Sequence, residues 1–287
     1  MFQHVPSPTY KRSHRAGESE EAYSARLAAD LEAKILELGA ENVAAFYAEP
    51  VVGTALGVMP PPKGYFPAIR AVLDKYDVLL VMDEVMSGAG RSGTLYAWES
   101  VAEGVRPHIQ SMAKGLGAGY VTVSAILASH KVYDVINAAG QWKNSHTYQN
   151  HPINCAVALA VLRKMETMDV YANVKARGAQ IVDELKTAFA EKECKTVFDV
   201  RGQGLFIGVE FEFDAQENMK PRFAARVKAQ CFKNGLVTLG MSGTVDGAAK
   251  GDSLVLAPAY IVTKEEISKI VEIVVKSVKE VEVEAGL

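Results

Sequence analysis

Apolar side chains recur along this chain at every fourth position in some stretches and gather into short unbroken runs in others, and the two patterns predict its helices and strands. In SEEAYSARLAADLEAKILELG, Tyr23, Leu27, Leu31 and Ile35 step by four and line one face of a helix, with Ser19 placed as N-cap and Gly39 as the terminating glycine. The residues ahead of it, with Pro6, Pro8 and several basic side chains, predict an irregular lead-in. An apolar strand is expected over 43–53, broken at Glu49-Pro50, followed by a proline-rich loop, a helix in YFPAIRAVLDKYD and a strand over 78–82. Strand, helix, strand in this order implies a parallel sheet joined by crossover helices. A short strand over 108–112 comes next, then YVTVSAILAS as a buried strand and HKVYDVINAAG as a short helix ended by Gly140. Beyond a polar loop, INCAVALAVLRKMETMD reads as a helix with alanines for close packing, and a second long helix runs over 174–190.

The remainder predicts a smaller α+β unit: a helix over 221–233, strands in LVTLG and SLVLAP, and a closing helix. In that last helix Thr263 and Glu266 have capping-box spacing, and Ile267, Ile270, Val274, Val278 and Val281 form an apolar face. The expected fold class is α/β, with a mostly parallel sheet in a large domain over 1–172 and a small α+β domain over 173–287, and a hinge at the long helices. No internal repeat or low-complexity tract interrupts this plan.

Composition narrows the choice of partner. A chain of 287 residues that is 49% hydrophobic can bury a large core. Its 31 basic and 34 acidic residues are nearly balanced, and no basic stripe interleaved with aromatics occurs, so nucleic acid and anionic membrane are not expected as partners. Cys155, Cys194 and Cys231 are far apart without CxxC spacing, which suits a reducing compartment. With no apolar run near membrane-spanning length and a polar start, MFQHVPSPTYKRSHR, the expected location is the cytoplasm.

The candidate chemistry lies between residues 79 and 120. LLVMDEVMSGAGRSG takes a strand directly into Asp83 and Glu84 and then a glycine-rich loop, the place where parallel sheets bind ligands. PHIQSMAKGLGAGY takes the next strand into Lys114, flanked by Ala113, Gly115, Gly117 and Gly119, so a bulky group has room beside the amine. A carboxylate and an amine at neighbouring strand ends suit a pyridine aldehyde cofactor, which needs an amine for its aldehyde and an anion for its ring nitrogen. Other readings are weaker. Strand-end Asp-Glu is also a Walker B pattern, but no GxxxxGK[ST] loop accompanies it. KGLGAG lacks the spacing and the downstream acid of a dinucleotide fingerprint, and is better read as a turn that keeps side chains off the lysine. His146 and His151 lie in a loop without nearby Cys or acids, so no metal is expected there.

DEVMSGAGRSG, AKGLGAGY and HTYQNHP, in this order and spacing, resemble the three signature blocks of class III aminotransferases, pyridoxal phosphate enzymes of fold type I. The resemblance implies transamination with pyridoxal 5′-phosphate: Lys114 as the Schiff-base lysine, Asp83 as partner of the ring nitrogen, Val85 beneath the ring, and Thr147 as a phosphate ligand reaching the neighbouring subunit of a homodimer. Met86 stands where many members carry a glutamine near the cofactor, which removes one hydrogen bond, and His108 stands where an aspartate is usual. In the mechanism implied, Lys114 is nucleophile first and proton carrier second, and the substrates are a small amine or amino acid and an oxo acid.

Further expectations follow from the family pattern. The glutamate of ornithine-type members, in the loop after the Glu-Pro pair, is matched by Thr54, and no arginine lies between Ser253 and Thr263, so an ω-amino acid or amine donor is favoured over ornithine or an α-amino acid. The glycine-serine phosphate loop and stacking aromatic of the family's N-terminal portion have no counterpart here. The chain is therefore expected to be the C-terminal two-thirds or so of such an enzyme, exposing apolar surface and binding cofactor weakly. The alternatives are a non-catalytic fold type I relative acting as a binding or structural protein, and a decarboxylase or racemase on the same scaffold.

Overall fold

The computed structural model describes residues 2–140, 144–212, 221–244 and 251–287. They divide into two compact units: Met1–Pro50, Pro61–Ala89 and Thr94–Met168 in one, and Val51–Pro60, Gly90–Gly93 and Asp169–Leu287 in the other.

The first unit runs α1 (Tyr10–Ser13), α2 (Glu20–Leu38), β1 (Ala45–Ala48), α3 (Tyr65–Lys75), β2 (Leu79–Asp83), α4 (Trp98–Val101), β3 (Ile109–Met112), β4 (Ala125–Ala128), α5 (His130–Ala138) and α6 (Pro152–Thr167). The Ser19 hydroxyl caps α2 by accepting from Ala22 N–H, and Gly39, at φ +79°, ends it. Tyr23, Leu27, Leu31 and Ile35 are buried as the four-residue period requires. They pack with Phe66, Ile69 and Leu73 of α3 and with Leu80 and Met82 of β2 in one core. Each such side chain contributes about 1.5–3 kcal/mol when fully buried.

The sheet order is β1-β2-β3-β4; β1, β2 and β3 are parallel, and β4 is antiparallel to β3. Leu80 and Met82 are buried in the helical core, while Leu79, Val81 and Asp83 alternate to the other side and stay half-buried. The β4 segment differs from the buried strand expected: it is an edge strand of four residues whose Ile126 is 73% exposed. Apolar composition alone does not bury a strand, because burial depends on what packs against its faces.

The second unit contains α7 (Val170–Glu191), β5 (Val197–Gln203), β6 (Phe206–Phe211), α8 (Phe223–Lys233), β7 (Leu239–Met241), β8 (Asp252–Leu256) and α9 (Lys264–Glu284). Its sheet, in the order β5-β6-β8-β7, is antiparallel throughout. Every residue of β6 and β8 is buried, so both faces of these strands are covered. Side chains of α7, α8 and α9 share a core with the strands. The 51–60 segment also packs closely on the sheet: Gly57 O would lie 2.1 Å from a Cβ at Gly208, and Arg201 donates to the carbonyls of Leu56, Gly57 and Val58. Thr263 and Glu266 form the capping box of α9, and Ile267, Val274, Val278 and Val281 are buried. None of the described helices is long and apolar enough to cross a membrane.

Candidate active site

Three strand ends in the first unit bring together groups that the sequence scatters over more than sixty positions. Tyr47 pairs with Val81 across β1 and β2, and Asp83 pairs with Ser111 across β2 and β3. Because strand residues alternate with period two, Tyr47, Asp83 and Ser111 share one face, opposite the helical core. Asp83 is half-buried there, and three donors converge on it. Its Oδ1 accepts from Val85 N–H at 2.9 Å and from the Ser111 hydroxyl at 3.1 Å, and its Oδ2 accepts from the Tyr47 hydroxyl at 2.9 Å. The bond to Val85 N–H is an Asx turn, which bends the chain sharply out of β2 and leaves Val85 and Met86 half-buried in the following loop. Partial burial of the Tyr47 phenol, and then the Asp83 carboxylate beside it, push its pKa upward.

Glu84 points the other way. Its side chain is fully buried, accepting from Ala97 N–H at 2.6 Å and the Gln110 amide at 2.9 Å on Oε2, and from Trp98 N–H at 2.9 Å on Oε1. Burial raises its pKa to about 7, against the lowering effect of those donors. The network ties the start of α4 and the middle of β3 to the residue next to Asp83. Gly88 completes it, since a Cβ there would lie 2.8 Å from Glu84 O and 2.9 Å from Glu84 Oε2.

Lys114 follows β3 by two residues. It opens a single 3-10 turn over Lys114–Leu116, is exposed, and has φ +43°, in the left-handed region that non-glycine residues seldom adopt. Leu116 anchors the turn by packing with Ala89, Met112 and Leu162. Gly117 is required by the turn itself, because a Cβ there would lie 2.5 Å from Val121 O. Thr147 is exposed in the loop ahead of α6, and the hydrogen bonds that gather on Asp83 include neither Thr147 nor Lys114.

His108, at the aspartate position of the family pattern, is a strand-joining residue. Its Nδ1 accepts from Leu80 N–H at 2.8 Å, and its own N–H donates to Leu80 O at 2.8 Å. Burial pushes its pKa down, reinforced by the charges of Arg70 and Lys131. Sequence reasoning missed Tyr47, Ser111, Gln110 and Trp98 as partners of the site. Alternation could have placed Tyr47 and Ser111 on strand faces, but only the inter-strand register puts them against Asp83.

Comparison with known proteins gives a consistent result. The family model described as aminotransferase class-III matches residues 1–278. An uncharacterized aminotransferase of Schizosaccharomyces pombe is 40% identical over 97% of this chain and 61% of its own length. Gamma aminobutyrate transaminase 3, chloroplastic, of Solanum lycopersicum is 36% identical over 97% of this chain and 52% of its own length. Among solved structures, a thermostable (S)-enantioselective omega-transaminase from Thermomicrobium roseum is similar with a TM-score of 0.86 and 34% identity, over 98% of this chain and 60% of that one. The chain thus spans about half to three-fifths of the length of these relatives. With 278 of its residues matched by one family model, this chain belongs to the class III aminotransferases.

Proposed function

We propose that the protein transfers an amino group from an amine or ω-amino acid to an oxo acid, using pyridoxal 5′-phosphate held by Asp83, Val85, Met86, Lys114 and, from a neighbouring copy, Thr147. The observation that carries this reading is the convergence of Tyr47, Val85 N–H and Ser111 on Asp83, one strand from the turn that presents Lys114. The donor set fits the cofactor. Oδ1 of Asp83 has two donors and Oδ2 one, so Oδ2 keeps an acceptor direction for the hydrogen of a protonated ring nitrogen.

The cofactor supplies a conjugated ring that takes up the electrons left when a proton leaves the substrate carbon. Lys114, exposed at the start of its turn, would hold the cofactor covalently through its side-chain amine, and the same amine would serve as the proton carrier at the substrate. Asp83 would hold the protonated ring nitrogen, using the acceptor direction left on Oδ2. Val85 and Met86, half-buried in the loop after β2, would hold the ring through apolar contact, and the exposed Thr147 of a neighbouring copy would supply a hydroxyl for the phosphate.

The donor class is supported by Thr54, by the lack of arginine between Ser253 and Thr263, and by relatives that are themselves named gamma aminobutyrate transaminases. A homodimer is supported by Tyr148 and Ile153, 76% and 65% exposed beside Thr147, which offer apolar surface for a second copy to cover. A cytoplasmic setting is supported by three free cysteines.

Trapping tests the assignment. The protein is incubated with pyridoxal phosphate and reduced with borohydride, and its peptides are mapped. The expected modification is on Lys114; labelling at another lysine, or none on folded protein, overturns the reading.

A further inference from the structure

The Tyr47 hydroxyl reaches Asp83 from a strand that contributes nothing else to the carboxylate. Oδ1 is taken by Val85 N–H and Ser111, so any further donor must approach Oδ2, and Tyr47 already lies on that oxygen at 2.9 Å. Few torsions place a phenol hydroxyl. Once the backbone at Tyr47 is fixed by its pairing with Val81, the position of the oxygen follows from two side-chain angles. The carboxylate is held from both sides, with two donors at Oδ1 and one at Oδ2, so its plane cannot turn without breaking a hydrogen bond. Tyr47 is also 55% exposed, on the face where Asp83 is half-buried, which puts the phenol on the side open to a ligand.

We propose that Tyr47 is a positioning residue of the amino-transfer site, whose hydroxyl orients Asp83 Oδ2 toward a protonated ring nitrogen and shares that oxygen with it. Burial, and then the Asp83 carboxylate that accepts from it, raise the pKa of the phenol, the direction expected of a hydroxyl that donates to an anion. The inference rests on Asp83 being the ring-nitrogen partner, as in the proposed function.

A double-mutant cycle tests it, using dissociation constants for pyridoxal phosphate measured by absorbance on wild type, Y47F, D83N and the double variant, with circular dichroism melts to verify folding. Y47F is expected to weaken binding by about five- to tenfold in the wild-type background and by less than about twofold in the D83N background. Equal losses in both backgrounds, or no loss in wild type, overturn the proposal. A second readout needs no cofactor: the ultraviolet phenol titration of wild type minus that of Y47F isolates Tyr47, and D83N is expected to move that titration to lower pH. An unmoved titration overturns the coupling. Borohydride trapping of the same samples separates the two levels: an unlabelled Lys114 fails the proposed function, whereas a labelled Lys114 with an additive cycle fails Tyr47 alone.

Discussion

Asp83 and Ser111 are paired at the end of the β2–β3 ladder, and the Ser111 hydroxyl donates to Asp83 Oδ1 at 3.1 Å. Asp83→Asn keeps an oxygen that can accept from Ser111 and Val85 N–H, so the melting temperature is expected to change little. It loses the charge that a protonated ring nitrogen needs. Hydrogen bonds to charged groups contribute about 1.5–3 kcal/mol, so transamination should slow by roughly ten- to a hundredfold or more. Steady-state rates with an ω-amino donor check this, and unchanged turnover would remove Asp83 from the reaction.

Glu84 predicts a pH effect on stability. Its folded pKa of about 7 lies above the ordinary value of 4.5, chiefly because of burial. Between those values the folded state binds a proton that the unfolded state has released, so the contribution of Glu84 to stability falls as pH rises from about 4.5 to 7 and is level above. The loss amounts to at most about 3 kcal/mol. Because His108 acts in the opposite sense over part of this range, the measure is the difference: between pH 5 and pH 7.5, urea unfolding should show wild type losing stability relative to Glu84→Gln. Glu84→Ala should destabilise by about 3 kcal/mol or more at either pH, since it strands two backbone N–H groups and the Gln110 amide.

His108 acts with the opposite sign. It must be neutral at Nδ1 to accept from Leu80 N–H, and its folded pKa is depressed below 6.5, first by burial. The unfolded chain therefore takes up a proton that the folded one refuses, and the contribution of His108 to stability declines as pH falls through 6.5. His108→Ala should abolish this acid-side slope while costing about 1–3 kcal/mol at pH 8, where the unmatched Leu80 donor dominates. Denaturant midpoints over pH 5–8 measure both.

Gly178 lies in the middle of α7, where alanine would ordinarily be favoured by about 1 kcal/mol. Here a Cβ would sit 2.2 Å from Gly204 O and 2.5 Å from Gly204 C, so helix and turn must separate to admit it. Gly178→Ala is expected to destabilise by about 1–3 kcal/mol in spite of the propensity gain. A raised melting temperature would show that the turn moves freely.

Local pattern alone was enough for α2 with Ser19 and Gly39, for α9 with its Thr263–Glu266 box, and for strands that run directly into Asp83 and Lys114. These features depend on side chains three or four residues apart, or on a strand's own apolar run, so neighbouring residues carry the whole signal. The three motif blocks carried the family for the same reason. What surrounds Asp83 was decided only by tertiary structure. Tyr47 and Ser111 lie 36 and 28 residues from Asp83, and nothing local makes a tyrosine or a serine its partner until parallel pairing sets the register. Glu84 looked like the second half of an acidic pair, yet the strand's alternation turns it into a buried network with Gln110 and Trp98. The β4 segment shows the same dependence in reverse: its apolar residues predicted burial, but a strand is buried only by what packs on its faces, and that is a property of the assembled layers.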